Sequence, residues 1–264
     1  MLPRCNVCGD LLARAEAEFG EARCQECSAE EPSFARAVNY GSYTGALRQL
    51  VHLLKYERVR PAARVLGRLT AEACLQLEGD IDVAELLMIP VPAHKSRLRS
   101  RGFNQAELIA RAALRGIEEA IGRRLTLDVT ALLRTRFAES QVALTAEARR
   151  QQIRGAFKVT DRERVKGREV LLIDDVLTTG ATASECAREL RAAGATRVWV
   201  ATAARALSRI AQESVADSSI PFAIASTQSF GPAAREASFL QRHGITTSMD
   251  EQGAGWTRAR ARLL

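Results

Sequence analysis

The sequence predicts an α/β protein with a mostly parallel sheet flanked by helices, preceded by a small N-terminal module. Apolar runs of strand length alternate with amphipathic helical patterns between residues 35 and 205, which is typical of a parallel sheet with helical crossovers. Four cysteines lie within the first 27 residues. We expect a module at 1–34, a main domain at 35–205 and a tail at 206–264, whose weak periodicity predicts poor order.

Composition and charge narrow the class of protein. The 264 residues are 47% hydrophobic and 26% charged, which is ordinary for a globular protein. The net charge of +7 favours anionic partners, such as a phosphorylated sugar or nucleic acid, without choosing between them. No apolar run is long enough to span a bilayer, and the N-terminal segment lacks the apolar core of a signal peptide. We therefore expect a cytoplasmic protein; its oligomeric state is left open.

The N-terminal module carries a cysteine pattern typical of a structural zinc site. Two C-x2-C pairs are separated by fifteen residues: Cys5 and Cys8, then Cys24 and Cys27. Gly9 favours a tight turn after the first pair, and the metal would supply the folding energy of so short a stretch. Two disulfides are one alternative, which a reducing cytoplasm disfavours. A redox-active C-x-x-C pair is the other, but such pairs normally begin a helix beside a strand, and the sequence shows no such context here. Cys74 and Cys186 lie in helical patterns and are expected to be core residues.

Periodicity assigns the elements of the main domain. In chain order they are a strand at 37–43 broken at Gly41, helices at 45–56 and 61–77, a buried strand at 86–92, a helix at 104–121, a short strand within 125–133, a polar excursion at 134–157, a strand at 170–173, a helix from about 183 that ends at Gly194, and a strand at 198–201. His52 lies in an apolar helix and is expected to pack.

The segment VLLIDDVLTTGATA at 170–183 is the most informative for function. Asp174 and Asp175 end the predicted strand at the edge of the sheet where ligands bind in such folds. A loop of small and hydroxyl residues leads into the next helix: Thr178, Thr179, Gly180, Ala181 and Thr182. The loop amides and the helix N-terminus favour the binding of a phosphate. The carboxylates can bind ribose hydroxyls, either by accepting their hydrogen bonds directly or through a metal ion. The alternative, that the acids merely end a strand, leaves the threonines and the glycine unexplained.

This segment resembles the phosphoribosyl pyrophosphate (PRPP) motif of type I phosphoribosyltransferases. The resemblance implies that Asp174 and Asp175 bind the ribose 2′ and 3′ hydroxyls. It also implies that Thr178 to Thr182 bind the 5′-phosphate. In such an enzyme Mg²⁺ would accompany PRPP and bridge diphosphate and ribose oxygens.

A second charged segment follows the predicted strand at 86–92. Within a predicted basic loop at 93–105, four cations occupy alternate positions: Lys95, Arg97, Arg99 and Arg101. A departing diphosphate accumulates negative charge, which such cations would stabilise. A solvated basic loop and a nucleic-acid patch are the alternatives, and the segment alone does not choose among them.

The order of motifs resembles the ComF/GntX family. It runs from the four-cysteine module through YTGALRQLVHLLKY, IPVPAHKSRLRSRGFNQAELIAR and RRQQIRGAFKV to the PRPP motif. The resemblance covers about residues 1–205 and implies a phosphoribosyltransferase-like domain with a zinc finger. It also implies a link to DNA uptake in natural competence and, for some members, to gluconate utilisation.

Three functions remain open from the sequence. The first is transfer of phosphoribosyl from PRPP to a nitrogen acceptor, in which the 134–157 segment, with Arg149 and Arg150, closes over the site as a mobile loop. The second is a non-catalytic protein that binds single-stranded DNA through the zinc module and the basic segment. The third is a regulator that binds PRPP or a nucleotide without turnover. No general base and no acceptor can be read from the sequence.

Overall fold

The computed structural model describes residues 3–12, 22–81, 86–136 and 146–208, all within the compact unit Met1–Pro221. Its strands are β1 Arg36–Ser42, β2 Leu86–Pro90, β3 Thr126–Leu127, β4 Leu132–Arg134, β5 Phe157–Val159, β6 Glu169–Leu177 and β7 Arg197–Arg205. Its helices are α1 Gln25–Ala29, α2 Gly45–Lys55, α3 Ala62–Cys74, α4 Lys95–Arg101, α5 Gln105–Ile121, α6 Ala146–Ile153 and α7 Ala181–Ala192. The predicted tail lies outside the described residues except for 206–208.

Five strands form one parallel sheet in the order β1-β7-β6-β2-β3, and β4 and β5 form a separate antiparallel pair. The predicted α/β class is therefore confirmed. The centre of the sheet is β6, whose residues Val170–Ile173 are at most 1% exposed because helices cover both faces. The strand continues past the acid pair, since Val176 and Leu177 still pair with β7. The predicted end at residue 173 was too early.

Helices α2, α3 and α5 cover one face of the sheet, and α7 with the β4–β5 pair covers the other. Helices α3 and α5 approach closely at two glycines. A Cβ built on Gly67 would lie 2.4 Å from the Ala112 Cβ, and one on Gly116 would lie 3.1 Å from the Ala71 Cβ. A larger residue at Gly67 would therefore push the two helices apart.

Three local predictions differ from the structure. The predicted basic loop is largely helix α4, which begins where His94 Nδ1 accepts the Ser96 N–H and ends at Gly102 in the left-handed region. The single strand expected within 125–133 is two strands, β3 and β4. Asp128 separates them, because its side chain accepts the N–H groups of Thr130 and Ala131.

His52 is the third difference. Its side chain is 57% exposed and its ring lies beside that of Tyr56, with centroids 4.7 Å apart and planes tilted by 39°, so it does not pack in the core. Cys74 and Cys186 are buried, as predicted. No helix among the described residues is long and apolar enough to cross a membrane.

The N-terminal module docks on β1, an edge strand of the sheet. The Ala37 N–H donates to the Val7 carbonyl at 2.7 Å, and Arg4 donates to the Gly9 carbonyl at 3.1 Å and to Asn39 Oδ1 at 3.4 Å. Gly9 has φ 71°, and a Cβ there would lie 2.4 Å from Asn39 Nδ2. The turn after the first cysteine pair is thus possible only for glycine, and the module covers part of an otherwise open strand edge.

Candidate functional site

The four predicted metal ligands converge at the N-terminal module. Their sulphur atoms all lie within 4.8 Å of one another and all four residues are buried: Cys5, Cys8, Cys24 and Cys27. The Cys8 and Cys24 sulphurs are 3.6 Å apart, close to the edge of about 3.8 Å expected for a tetrahedron with metal–sulphur bonds of about 2.3 Å. The Cys8 N–H points to the Cys5 sulphur at 3.5 Å. Contact with Cys24 raises the pKa of the Cys27 thiol, because neighbouring thiolates repel each other unless a cation is shared. The centre can hold one metal ion.

The acid pair lies inside β6 rather than after it, so the pleat turns the two side chains to opposite faces of the sheet. Asp175 faces α2, where its Oδ1 forms an ion pair with Lys55 Nζ at 2.8 Å. The Lys55 side chain is 20% exposed and that of Asp175 is 5% exposed. Lys55 is a residue of this site that sequence analysis missed, because a lysine at the end of an amphipathic helix is expected to be solvated.

Asp174 has a different environment on the other face. Its Oδ1 accepts the Asp175 N–H at 2.9 Å. Among the described residues, Asp174 has no ion pair as close as the one between Asp175 and Lys55. Burial and the adjacent Asp175 carboxylate raise the pKa of Asp174 to about 7, while Lys55 and Arg134 act in the opposite direction. A carboxyl group with this pKa exchanges its proton near neutral pH.

The loop after β6 has the geometry of an anion site. Gly180 lies in the left-handed region at φ 76° and precedes the first residue of α7. Gly180 is the N-cap residue of α7, and Thr179 Oγ1 accepts a long hydrogen bond of 3.4 Å from the Ala181 N–H. Thr178 is exposed, and Thr179, Gly180 and Thr182 are partly exposed, so the predicted phosphate ligands reach solvent at the positive end of a twelve-residue helix. Ala181 is buried.

Only two of the four predicted diphosphate cations are partly buried. Arg97 and Arg101 are one helical turn apart on α4 and partly buried, whereas Lys95 and Arg99 are exposed. Burial and Arg97 lower the pKa of Arg101, and Asp175 acts in the opposite direction. We call Arg97 and Arg101 the inner pair, and Lys95 and Arg99 the outer pair.

Arg134 on β4 is a further cation that sequence analysis missed. Burial and Arg97 lower the pKa of its guanidinium, and Asp174 acts to raise it. Its guanidinium carbon lies 5.3 Å from the Phe157 ring centroid. The 134–157 segment therefore contributes a cation through its first residue. The residues predicted for a mobile loop, Arg149 and Arg150, fall on α6, and their side chains lie outside the described part of the chain.

Two buried atoms at the site have unused hydrogen-bonding capacity. Asp175 Oδ2, an acceptor, and Arg101 Nη1, a donor, have no partner among the described residues. Buried polar atoms are nearly always paired, and an unpaired charged group is costly. The site is therefore suited to a ligand that carries hydroxyl donors and an anionic acceptor group.

Comparisons with known proteins identify the family of this chain. A phosphoribosyl transferase domain family matches residues 109–232. The chain is 32% identical over 178 residues to DNA utilization protein YhgH of Escherichia coli O157:H7, covering 67% of this chain and 75% of that protein. It is 30% identical over 207 residues to competence protein F of Haemophilus influenzae, covering 77% and 85%. The chain belongs to the ComF/GntX family. The family resemblance inferred from the motif order is thereby confirmed.

A solved structure resembles this ComF/GntX chain more distantly. Glutamine PRPP amidotransferase from B. subtilis, complexed with ADP and GMP, aligns with a TM-score of 0.33 and 22% identity. The alignment covers 54% of this chain and 26% of that enzyme. A likeness this weak assigns no activity or site residue.

Proposed function

We propose that the carboxyl edge of the sheet binds PRPP and that the protein transfers its phosphoribosyl group to a nitrogen acceptor. The observation that carries the proposal is the unpaired acceptor of Asp175 beside the unpaired donor of Arg101. PRPP offers vicinal hydroxyls to the first and a diphosphate to the second. A compound such as ribose 5-phosphate supplies only part of this set.

Each part of PRPP has a group of matching chemistry in the site. The 5′-phosphate would lie at Thr178 to Thr182, at the start of α7. The ribose hydroxyls would donate to Asp174 and Asp175. The diphosphate would lie against the inner pair, with Lys55 and Arg134 adding positive charge. The hard oxygen ligands of PRPP and the two carboxylates suit Mg²⁺, and a bound Mg²⁺ would neutralise part of the diphosphate charge.

In the transfer, the C1–O bond to diphosphate breaks and a bond from C1 to the acceptor nitrogen forms, after which that nitrogen loses a proton. Guanidinium groups at the inner pair would stabilise the charge that builds on the leaving oxygens. Zinc at the four-cysteine centre would be structural, because four sulphur ligands leave no open coordination position.

Calorimetric titration of the full chain with PRPP and Mg²⁺ tests the binding step. We expect Arg101→Gln to weaken binding by about 10- to 100-fold, because a charged hydrogen bond is worth about 1.5–3 kcal/mol. Arg99→Gln is the matched control from the outer pair, and we expect a change below about threefold because exposed charges are screened. Equal losses in the two variants would contradict the assignment of the inner pair.

The catalytic step needs its own measurement. Diphosphate release from PRPP is followed in the presence of a panel of nucleobases and amines, with Asp174→Asn as the inactive control. Release that depends on one acceptor class identifies the substrate. PRPP binding without release with any acceptor would favour the regulator that senses PRPP.

Single-stranded DNA binding is the second candidate, and one observation favours it. Tyr56 is 64% exposed, and its ring contacts that of His52 and lies 5.7 Å from the Arg101 guanidinium carbon. An exposed ring beside a guanidinium suits base stacking and phosphate contacts. The names of the two relatives, a DNA utilization protein and a competence protein, point the same way.

Fluorescence anisotropy with a single-stranded oligonucleotide tests this second candidate. We expect Tyr56→Ala to weaken binding by about 5- to 100-fold, since base–aromatic stacking is worth about 1–3 kcal/mol. Affinity should also fall steeply with salt and survive in Asp174→Asn. Binding that is undiminished in Tyr56→Ala would rule out this surface.

A further inference from the structure

One buried arginine joins the four-cysteine centre to the loop after β6. Arg205 is the last residue of β7 and pairs with Leu177, the last residue of β6. It is 2% exposed. Sequence analysis assigned it no role, because an arginine that follows an apolar strand reads as the start of a solvated segment.

The guanidinium of Arg205 contacts both sites. Its Nη1 donates to the carbonyl oxygens of Leu177 at 3.2 Å and of Thr178, and to that of Ala206 at 2.5 Å. Its Nη2 donates to the Cys8 sulphur at 3.7 Å and to Asp10 Oδ2 at 3.3 Å. A planar guanidinium can hold donors in both directions at once, whereas the compact ammonium of a lysine cannot.

A second contact between the two sites is independent of Arg205. The segment after α1 backs the loop, since the Ser33 N–H donates to Ser184 Oγ at 3.0 Å. The Phe34 ring lies beside Gly180, where a Cβ would be 3.8 Å from two ring atoms. The loop is therefore also enclosed on one side by Ser33 and Phe34, through a neutral hydrogen bond and a ring contact that are weaker than the charge-assisted hydrogen bonds of Arg205.

We propose that Arg205 is a positioning residue that makes the conformation of the 178–180 loop depend on metal binding at the four-cysteine centre. Because short metal-binding modules fold with their metal, loss of the ion would free Cys8 and Asp10. The Nη2 group of Arg205 would then lose its fixed partners. As a result, Nη1 would no longer be positioned to donate hydrogen bonds to the Leu177 and Thr178 carbonyl oxygens. The consequence for 5′-phosphate affinity rests on the proposed function, whereas the consequence for loop conformation does not.

Hydrogen exchange on the full chain, with and without chelation of zinc, tests the conformational part. In the wild type we expect chelation to speed exchange of the 177–184 peptide about tenfold, since charged hydrogen bonds are lost. In zinc-loaded Arg205→Lys the peptide exchanges about as fast as in the chelated wild type, and chelation adds less than about twofold. Zinc content and thermal midpoint are measured on the same samples.

Arg4→Lys is the matched control. Arg4 also joins the module to the sheet, but its partners are the Gly9 carbonyl and Asn39, not the loop. We expect its loop to respond to chelation as in the wild type. Should Arg205→Lys lose zinc or unfold, Asp10→Asn decides: it weakens one partner of Nη2 and should give an intermediate exchange rate with zinc bound.

Affinity for ribose 5-phosphate separates the two proposals. We expect this affinity to fall about tenfold on chelation in the wild type and by less than about twofold in Arg205→Lys.

The possible outcomes distinguish the two proposals. A merely structural role for Arg205 would lower the thermal midpoint without removing this response to zinc. A loop that responds equally to chelation in wild type and Arg205→Lys overturns the positioning role of Arg205. A loop that responds as expected while neither ribose 5-phosphate nor PRPP binds any sample supports the coupling and refutes the proposed function.

Discussion

The four-cysteine centre and the carboxyl edge of the sheet both bring groups of like charge together, but they balance that charge in different ways. The four sulphurs lie within 4.8 Å of one another and can share a single cation. At the edge of the sheet, two carboxylates are surrounded by cations from three separate elements: Lys55 on α2, Arg97 and Arg101 on α4, and Arg134 on β4.

This difference determines how each region should respond to mutation. Removing one ligand from a four-sulphur centre removes the shared cation and with it the folding energy of the module. Removing one cation from the edge leaves the others in place, so the loss is partial and depends on which side chain is changed. The three predictions below test this contrast, from the largest expected effect to the smallest.

Cys24→Ser should have the largest effect. We expect zinc content to fall from about one ion per chain to near zero, because three thiolates bind far more weakly than four. The thermal midpoint should fall by about 10 °C or more, as expected for a loss of several kcal/mol in a chain of this size. Metal analysis and calorimetry check both. Cys74→Ser is the control: it changes a buried cysteine outside the centre and should keep the metal. A full equivalent of zinc in Cys24→Ser would contradict the assignment of four cysteine ligands.

The same contrast explains what the sequence alone could predict. The metal ligands and the segment at 170–183 are local patterns, because each lies within one short stretch of the chain, at 5–27 and at 170–183. Both were therefore visible without a structure. Only the end of β6 was misplaced, since the pairing of Leu177 with Arg205 is a contact between distant residues.

The cations at the edge of the sheet were only partly visible. Lys95 to Arg101 was read as a loop, in which all four cations are equivalent. In a helix, the i, i+4 spacing of Arg97 and Arg101 places them on one face and separates them from the outer pair. Lys55 and Arg134 carry no local signal, because their role arises only when α2 and β4 are folded against β6.

Asp175→Asn should have an intermediate effect, because it leaves Lys55 partly buried without its ion pair. The proposed role of Asp175 predicts that this variant loses PRPP binding and keeps its fold. The structure adds a destabilisation of about 3 kcal/mol, typical of breaking a buried pair from one side. Urea unfolding checks this value, with Asp174→Asn as the control that leaves the pair intact.

A double variant sharpens the second prediction. Adding Lys55→Met to Asp175→Asn removes the unpaired charge, so we expect the double variant to be more stable than Asp175→Asn alone. Strictly additive losses from the two substitutions would mean that the ion pair contributes nothing to folding. PRPP affinity should be lost in all variants that lack Asp175.

The pH dependence of stability should show the smallest effect. Because the pKa of Asp174 is raised to about 7 in the fold, the native state keeps a proton that the unfolded chain releases near pH 3.9. Between these values the native state binds more protons, so the free energy of unfolding decreases as pH rises and levels off above pH 7. From pH 5 to pH 8 we expect the free energy of unfolding of the wild type to fall by about 2 kcal/mol more than that of Asp174→Asn. This amount is smaller than the full linkage value, because Asp174 is in contact with solvent.

Denaturant unfolding at several pH values measures the difference. Asp80→Asn, which changes a surface carboxylate paired with Arg36, should keep the wild-type dependence. Parallel curves for the wild type and Asp174→Asn would show that Asp174 ionises as readily in the fold as in the unfolded chain, and the contrast between the two neighbouring acids would then rest on Lys55 alone.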